Sequence, residues 1–330
     1  MPFSPIVGKS LLQIVAEKIA AFNRCYRTSA HLAIMTSSAT DAPVRALLSD
    51  HHHFGLSTID LLSQPSLPLL DMDGNPIVTD SNELLLGPDG NGSVFRELMR
   101  SGVYQRWQSE GVEAVSIIMY DNPLIDPFCP ALFAPLFTHA DLTLAAIERT
   151  DPMEQVGLIV QEQGQTRVIE YSEIDPASRT QRNSSGHLML RWANISAFAC
   201  RLSFIAQAAS LTLPLHVARK TVAGRQVWKA EYFVFDAMAA TDAIAVVALD
   251  RNRFFAPVKD PATLEQARQA MMARDRHCLS QLTGRNIDPT ARVELSPSAL
   301  YPTRPFLQWL RTSAPSDGVI DAGESGRRSP

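Results

Sequence analysis

Short apolar runs of strand length recur through the first three quarters of the chain, and helix-like stretches separate several of them. They read "HLAIMTS", "AVSIIMYDN", "LTLAAIE", "VGLIVQ", "TRVIEYSEI", "ANISAFAC" and "KAEYFVFDA". Among the intervening segments are "TDAPVRALLSDHHHFGL", "GSVFRELMRSGVYQRWQSEG" and, later, "ATLEQARQAMMARDRHCLSQL". Strands alternating with helices predict an α/β fold with a largely parallel sheet covered on both faces. The pair of runs around Gln163-Gly164 reads as a hairpin and makes the sheet mixed. "AVSIIMYDN" is the cleanest candidate for a buried strand, ending abruptly at Asp121-Asn122-Pro123.

The first helix is expected from "SLLQIVAEKIAAF". Ser10 with Gln13 three residues on is a capping-box pattern, and Leu11, Leu12, Val15, Ile19 and Phe22 follow at helical spacing. The second is expected to end at Gly55. From Pro315 the chain is small and polar and reads as a disordered tail.

Composition excludes several classes. With 45% hydrophobic residues, 19% charged and a net charge of −4, the chain reads as a soluble globular protein without a basic stripe for nucleic acid. No apolar run approaches the roughly 20 residues that span a bilayer, and "MPFSPIVGKS" lacks a basic n-region leading into an apolar h-region, so a secretory signal is not expected. Cys25, Cys129, Cys200 and Cys278 form no CxxC pair, so reduced thiols in a cytoplasmic protein are expected rather than zinc ligands.

Other motifs carry less. Gly8-Lys9-Ser10 ends like a Walker A loop, but Phe3 stands where its first Gly belongs. His51, His52 and His53 are consecutive on a helix and cannot converge on one ion. No G-x-S-x-G occurs.

Two places suit chemistry. Asp121 follows the carboxyl end of a strand, where ligands bind in open α/β sheets. It either closes the turn or holds Mg²⁺, a hard cation suited to carboxylate and phosphate oxygens. In "LLGPDGNGSVFREL", Gly90 and Gly92 permit positive φ and close backbone approach, so a ring or phosphate can lie against the turn. The alternative is a plain polar loop.

Taken in order, "KSLLQIVAEKI", "IMTSSATDAPVRALLSDHHHFGL", "PDGNGSVFREL", "YDNPLIDPFCPALF", "EQVGLIV", "VIEYSEID", "ANISAF", "LPLHVARKTV" and "FFAPVKD" resemble the UDP-sugar pyrophosphorylase family, in particular its UDP-N-acetylglucosamine branch. The resemblance covers roughly residues 3–260. It implies a Rossmann-like, glycosyltransferase-A-like nucleotidyltransferase domain that makes UDP-sugar and pyrophosphate from UTP and a sugar 1-phosphate, with Mg²⁺.

By the same resemblance, Gly90 and Asn91 fall where the family binds uridine and sugar. Gln64 of "LLSQPSLP" matches the uracil-reading glutamine, with the family's aromatic "FFQQ" context altered. Asp121 matches the residue near metal and phosphates, and Gly157, Glu170 and Asn194 match sugar-holding positions. Lys220 and Lys259 match basic residues facing the phosphates.

The family's opening strand, its "GGxGTRLG" loop and the "PKG" lysine have no counterpart. The expectation is therefore a catalytic domain over 1–260 without its first strand and phosphate loop, a small helical segment over 261–314 and a tail over 315–330. Losing that strand should expose a central sheet edge. Two functions stay open: a uridylyltransferase, or a UDP-sugar-binding remnant without turnover.

Overall fold

The computed structural model describes residues 3–321. Its helices are Leu11–Tyr26 (α1), Asp41–Asp50 (α2), Val94–Arg100 (α3), Val103–Ser109 (α4), Pro130–Phe133 (α5), Pro176–Thr180 (α6), Leu202–Ser210 (α7), Arg251–Phe254 (α8), Pro261–Thr283 (α9) and Arg304–Thr312 (α10). The strands are Leu32–Thr36 (β1), Ile59–Ser63 (β2), Ser66–Pro68 (β3), Leu86–Pro88 (β4), Ala114–Ile118 (β5), Leu142–Glu148 (β6), Leu158–Glu162 (β7), Gln165–Ile169 (β8), Trp192–Arg201 (β9), His216–Val222 (β10), Arg225–Glu231 (β11), Ile244–Ala248 (β12), Val293–Leu295 (β13) and Gly318–Ile320 (β14).

Local signals account for several boundaries. Ser10 caps α1 by accepting from the Gln13 backbone N–H at 3.1 Å, but the box stays half made: the Gln13 side chain turns to Glu17 instead. The segment expected as one helix over 92–111 breaks into α3 and α4 at Gly102, which takes φ +79°. Only a residue without Cβ adopts that conformation cheaply. α2 ends at Asp50, short of the expected Gly55; the three histidines lie exposed after it, and His52–Gly55 form a short 3₁₀ turn.

The sheet is mixed, as the hairpin signal implied, but it is not largely parallel. β6 pairs parallel with β12 and antiparallel with β9, while β9 is antiparallel to β5 and to β7, and β7 to β8. The antiparallel share rises because β7 and β8 follow one another through a hairpin, without the helical crossover that a parallel pair needs.

β9 is the long element, ten residues, and it does not keep one neighbour along its second edge. Its C-terminal half (Ala197–Arg201) pairs with β5, and its other half reaches β7 through Ala193. At the change of partner Ser196 adopts φ +54°, and the β6–β9 register shifts on the opposite edge.

β5 is not the buried strand expected. All five of its residues are half-buried and it pairs with β9 alone. β1 likewise pairs only with β2. Yet Ala33 and Met35 of β1 pack on the same apolar cluster as Val115 and Ile117 of β5, and Leu32 and Ile118 share a second cluster. The two strands thus lie under common cover with unpaired backbone edges, among the described residues.

The C-terminal part begins with α9, capped by Asp260 and Thr263 and closed at Gly284. Ala267 and Met271 of α9 join Phe3, Ile14 and Leu124, while Leu279 packs with Val293, Leu295, Phe306, Leu310 and Ile320. That last residue corrects the sequence reading. Residues 315–321 do not form a disordered tail: β14 pairs with β13 and Ile320 is fully buried, a contact that three short residues of strand cannot announce in sequence. The rest of the expected tail, 322–330, lies outside the described residues. No helix among those described is long and apolar enough to cross a membrane.

Ile320→Ala should lower unfolding stability by about 2–5 kcal/mol through lost burial and an unfilled cavity. Urea denaturation checks this, and an unchanged midpoint would return the segment to a tail.

Candidate active site

One side chain ties the loop after β5 to residues 254–256. Asn122 is buried; its amide donates to the Phe254 carbonyl at 2.8 Å, and its oxygen accepts from the Ala256 and Leu124 N–H groups. This lays residues 254–258 alongside the loop, where the Val258 N–H donates to the Asp121 carbonyl at 2.9 Å. Lys259 is delivered next to Asp121 by that pairing, although 137 residues separate them. Burial pushes the Asp121 carboxyl above its ordinary value, and the Lys259 ammonium opposes the shift.

The same lysine acts on a second carboxylate. Glu170, just past β8, is raised first by burial and then by Glu173, whereas His216 and Lys259 pull it down. Gly157 precedes β7, and its carbonyl accepts from the Asn194 N–H at 2.8 Å. A Cβ there would stand 3.2 Å from a Val168 methyl and 3.5 Å from the Glu170 carboxylate, so only Gly leaves that face of Glu170 clear. The Asn194 side-chain oxygen is occupied by the Ser196 N–H at 3.1 Å. Its amide nitrogen makes no hydrogen bond among the described residues. Asp121, Gly157, Glu170, Asn194 and Lys259 therefore gather where β9 leaves β5 for β7.

Lys220 does not join them. It lies exposed on the β10–β11 hairpin, in register with Val227, and makes no hydrogen bond or ion pair among the described residues. The residue of that stretch that reaches the site is His216, which the sequence reading passed over. Its Nε2 is 2.9 Å from Asp236 and its Nδ1 3.4 Å from Glu173, and its ring stacks on Phe233 with centroids 4.3 Å apart. No local signal marks it, because its partners Glu173 and Asp236 come from other elements and β10 has no alternating burial.

The Gly-rich turn needs a correction. Gly90 takes φ +89°, as expected, but its open face is filled by the protein's own backbone. A Cβ on Gly90 would come within 2.4 Å of the Tyr232 carbonyl, and one on Gly92 within 2.7 Å of the Tyr232 Cβ. Tyr232 N–H donates to Asp89, Gly92 N–H donates to Tyr232, and the Asn91 side chain accepts from Val234 N–H at 2.9 Å. From the other side the Gln64 amide donates to the Gly90 carbonyl. The four residues Gln64, Gly90, Asn91 and Tyr232 are thus one clamp joining the 89–93 turn to the 231–234 segment. Asp89, buried inside it, has its carboxyl raised by desolvation.

Comparison with known proteins follows this geometry. Residues 6–314 match the model of the UTP–glucose-1-phosphate uridylyltransferase family. The chain belongs to that family. Over 77% of its length it is 31% identical to UDP-N-acetylglucosamine diphosphorylase 1 of Arabidopsis thaliana, covering 55% of that protein. Against a UDP-N-acetylhexosamine pyrophosphorylase-like protein 1 of Xenopus tropicalis the identity is 29%, over 89% of this chain and 66% of the relative. The chain thus spans between about half and two thirds of the curated relatives it matches.

Among solved structures, the pyrophosphorylase of Trypanosoma brucei in complex with an inhibitor superposes with a TM-score of 0.75 at 24% identity, covering 98% of this chain and 75% of that one. A UDP-N-acetylglucosamine pyrophosphorylase from Entamoeba histolytica gives the same TM-score at 21% identity, over 87% of this chain and 76% of that one. The uridylyltransferase family's nucleotidyltransferase fold is therefore the fold described above, and the candidate residues gather beyond the carboxyl end of β5, where open α/β sheets take ligands.

Gly90→Ala should destabilise the protein by about 1–3 kcal/mol, since a left-handed alanine would also meet backbone that cannot swing away. Denaturant midpoints measure it. A midpoint equal to wild type would mean that the Tyr232 segment yields freely and the clamp is not a constraint.

Proposed function

We propose that the chain is a uridylyltransferase that forms a UDP-N-acetylhexosamine and pyrophosphate from UTP and the sugar 1-phosphate. The observation that carries this reading is the convergence of Asp121, Glu170, Asn194 and Lys259 at one point of the sheet, with one lysine acting on both carboxylates. The names of the relatives support the N-acetylated sugar.

In the forward direction a phosphate oxygen of the sugar 1-phosphate attacks the α-phosphorus of UTP in line. The bond from the α-phosphorus to the bridging oxygen breaks, and its electron pair leaves with pyrophosphate. The attacking oxygen is already anionic, so no general base is required. The work is positioning and neutralisation of negative charge. Lys259, exposed at its tip, supplies a cation at the phosphates. Glu170 accepts from sugar hydroxyls, and the unoccupied amide of Asn194 donates to the sugar or its acetamido oxygen.

Asp121 suits Mg²⁺ of a particular kind. Among the described residues no three acidic, His or Cys side chains gather to make a cage. One carboxylate shared with substrate phosphates is the usual Mg²⁺ arrangement, and such an ion would supply further neutralisation of phosphate charge. All four cysteines are free, which supports a cytoplasmic enzyme.

A second reading, a UDP-sugar-binding domain without turnover, is favoured by the unpaired edges of β1 and β5. Pyrophosphorolysis decides between the two. With UDP-N-acetylglucosamine, pyrophosphate and Mg²⁺, the chain should release UTP, and Asp121→Asn should reduce the rate by about 10²-fold or more. Binding of UDP-sugar without UTP release would select the second reading.

For the sugar side, Asn194→Ala should raise the KM for the sugar phosphate about tenfold and leave that for UTP nearly unchanged. Equal losses for both substrates would falsify that role. Glu170 is displaced upward, so the acid limb of the pH–rate profile should lie above the pH at which exposed carboxylates titrate.

A further inference from the structure

The ammonium of Lys18 lies inside the protein, 1% exposed, on the core face of α1. It forms no ion pair among the described residues. Its Nζ donates to the Pro123 carbonyl at 2.8 Å and to the Ile125 carbonyl at 2.5 Å, two and four residues beyond Asp121. Arg274 of α9, also buried, donates to the same Pro123 carbonyl at 3.4 Å while pairing with Asp275.

We propose that Lys18 is a positioning residue for the Asp121 loop: it holds the Pro123–Ile125 backbone from below so that Asp121 stays against the Lys259 segment. The proposal rests on the uridylyltransferase reading for its kinetic consequence and on geometry alone for its structural one.

Residues 121–129 adopt neither helix nor strand, and Pro123 has no N–H. The buried carbonyls of such a loop need donors that no ladder provides. Lys18 and Arg274 provide them on one face, and Asn122 fixes the other face to residues 254–256.

An ammonium is a costly choice for a core position, because its desolvation is only partly repaid by neutral carbonyls. An apolar side chain would pack as well and leave the loop unheld. The charges facing Lys18 are Arg274 and Asp275 from α9 and Asp126 from the loop itself, the last gripped by the Tyr301 hydroxyl. Burial, followed by Arg274, draws the ammonium down to about 7, while Asp126 and Asp275 pull it back.

The site is thus held by parts of the chain that never reach it. α1 supplies Lys18, α9 supplies Arg274, and the segment before α10 supplies Tyr301. Each acts on residues 123–126 rather than on Asp121 itself.

Hydrogen exchange of the whole chain tests this, with Lys18→Met and Lys18→Arg beside wild type. In Lys18→Met, peptides covering residues 119–128 and 254–260 should exchange about tenfold faster, with the β6–β9 ladder unchanged. Lys18→Arg, which keeps charge and donors, should restore protection. In pyrophosphorolysis Lys18→Met should lower kcat about tenfold and leave the KM for UDP-N-acetylglucosamine within about twofold.

Wild-type exchange in both peptides of a folded Lys18→Met protein would overturn the proposal, as would a loss confined to KM. Should Lys18→Met not fold, Lys18→Gln is measured in the same way and against the same outcomes. Failure of both to fold also overturns it, since Lys18 would then determine the whole fold and not the loop. A wild-type chain without turnover refutes the uridylyltransferase reading instead, and the exchange result alone then decides the role of Lys18.

Discussion

The site depends on one ladder that cannot be completed. β9 is ten residues long, and no single neighbour matches it along its second edge; β5 takes one half and β7 begins at the other. Where the partners change, the backbone groups must find donors and acceptors elsewhere. The Asn194 N–H goes to Gly157 and the Ser196 N–H turns back onto the Asn194 side chain. The result is a break within the sheet, bounded by rigid strands, into which the ends of β5 and β8 can bring Asp121 and Glu170.

Electrostatics then follow from placement. Two carboxylates brought out of water would both drift toward their neutral forms. Lys259 opposes that for both, and its position depends on Asn122 tying residues 254–256 to the loop after β5. Asn122 is therefore as much a part of the arrangement as the lysine. So is His216, which stands between Glu173 and Asp236 and pulls Glu170 down.

Much of this was legible from sequence because it is local. Most of the apolar runs became strands, although "KAEYFVFDA" passes from β11 into a 3₁₀ turn; Ser10 marked the start of α1, and the motif order pointed to the family and to the candidates Asp121, Glu170, Asn194 and Lys259. What could not be read was pairing. Nothing in "AVSIIMYDN" says that its strand has one neighbour rather than two, and nothing in "GVI" says that Ile320 will be buried against β13. His216 was hidden for the same reason, since its partners Glu173 and Asp236 lie 43 residues before it and 20 after it. Lys220, four residues further along the same strand, was singled out by the resemblance and stands exposed.

The Gly-rich turn shows why residue type and role must be argued separately. Gly90 and Gly92 are required there, yet the space that they leave is taken by Tyr232 and not by a ligand. A substrate meeting this turn would therefore meet its outer surface, shaped by Gln64 beneath and by the 231–234 segment behind. The aromatic residue next along that segment, Phe233, carries the His216 stack. The clamp and the carboxylate cluster are thus joined through consecutive residues, Tyr232 and Phe233. A strain placed at Gly90 has a short path, through Tyr232 and Phe233, to the surroundings of Glu170. The glycines act on the site by fixing where its neighbours stand, which is a constraint of packing before it is one of binding.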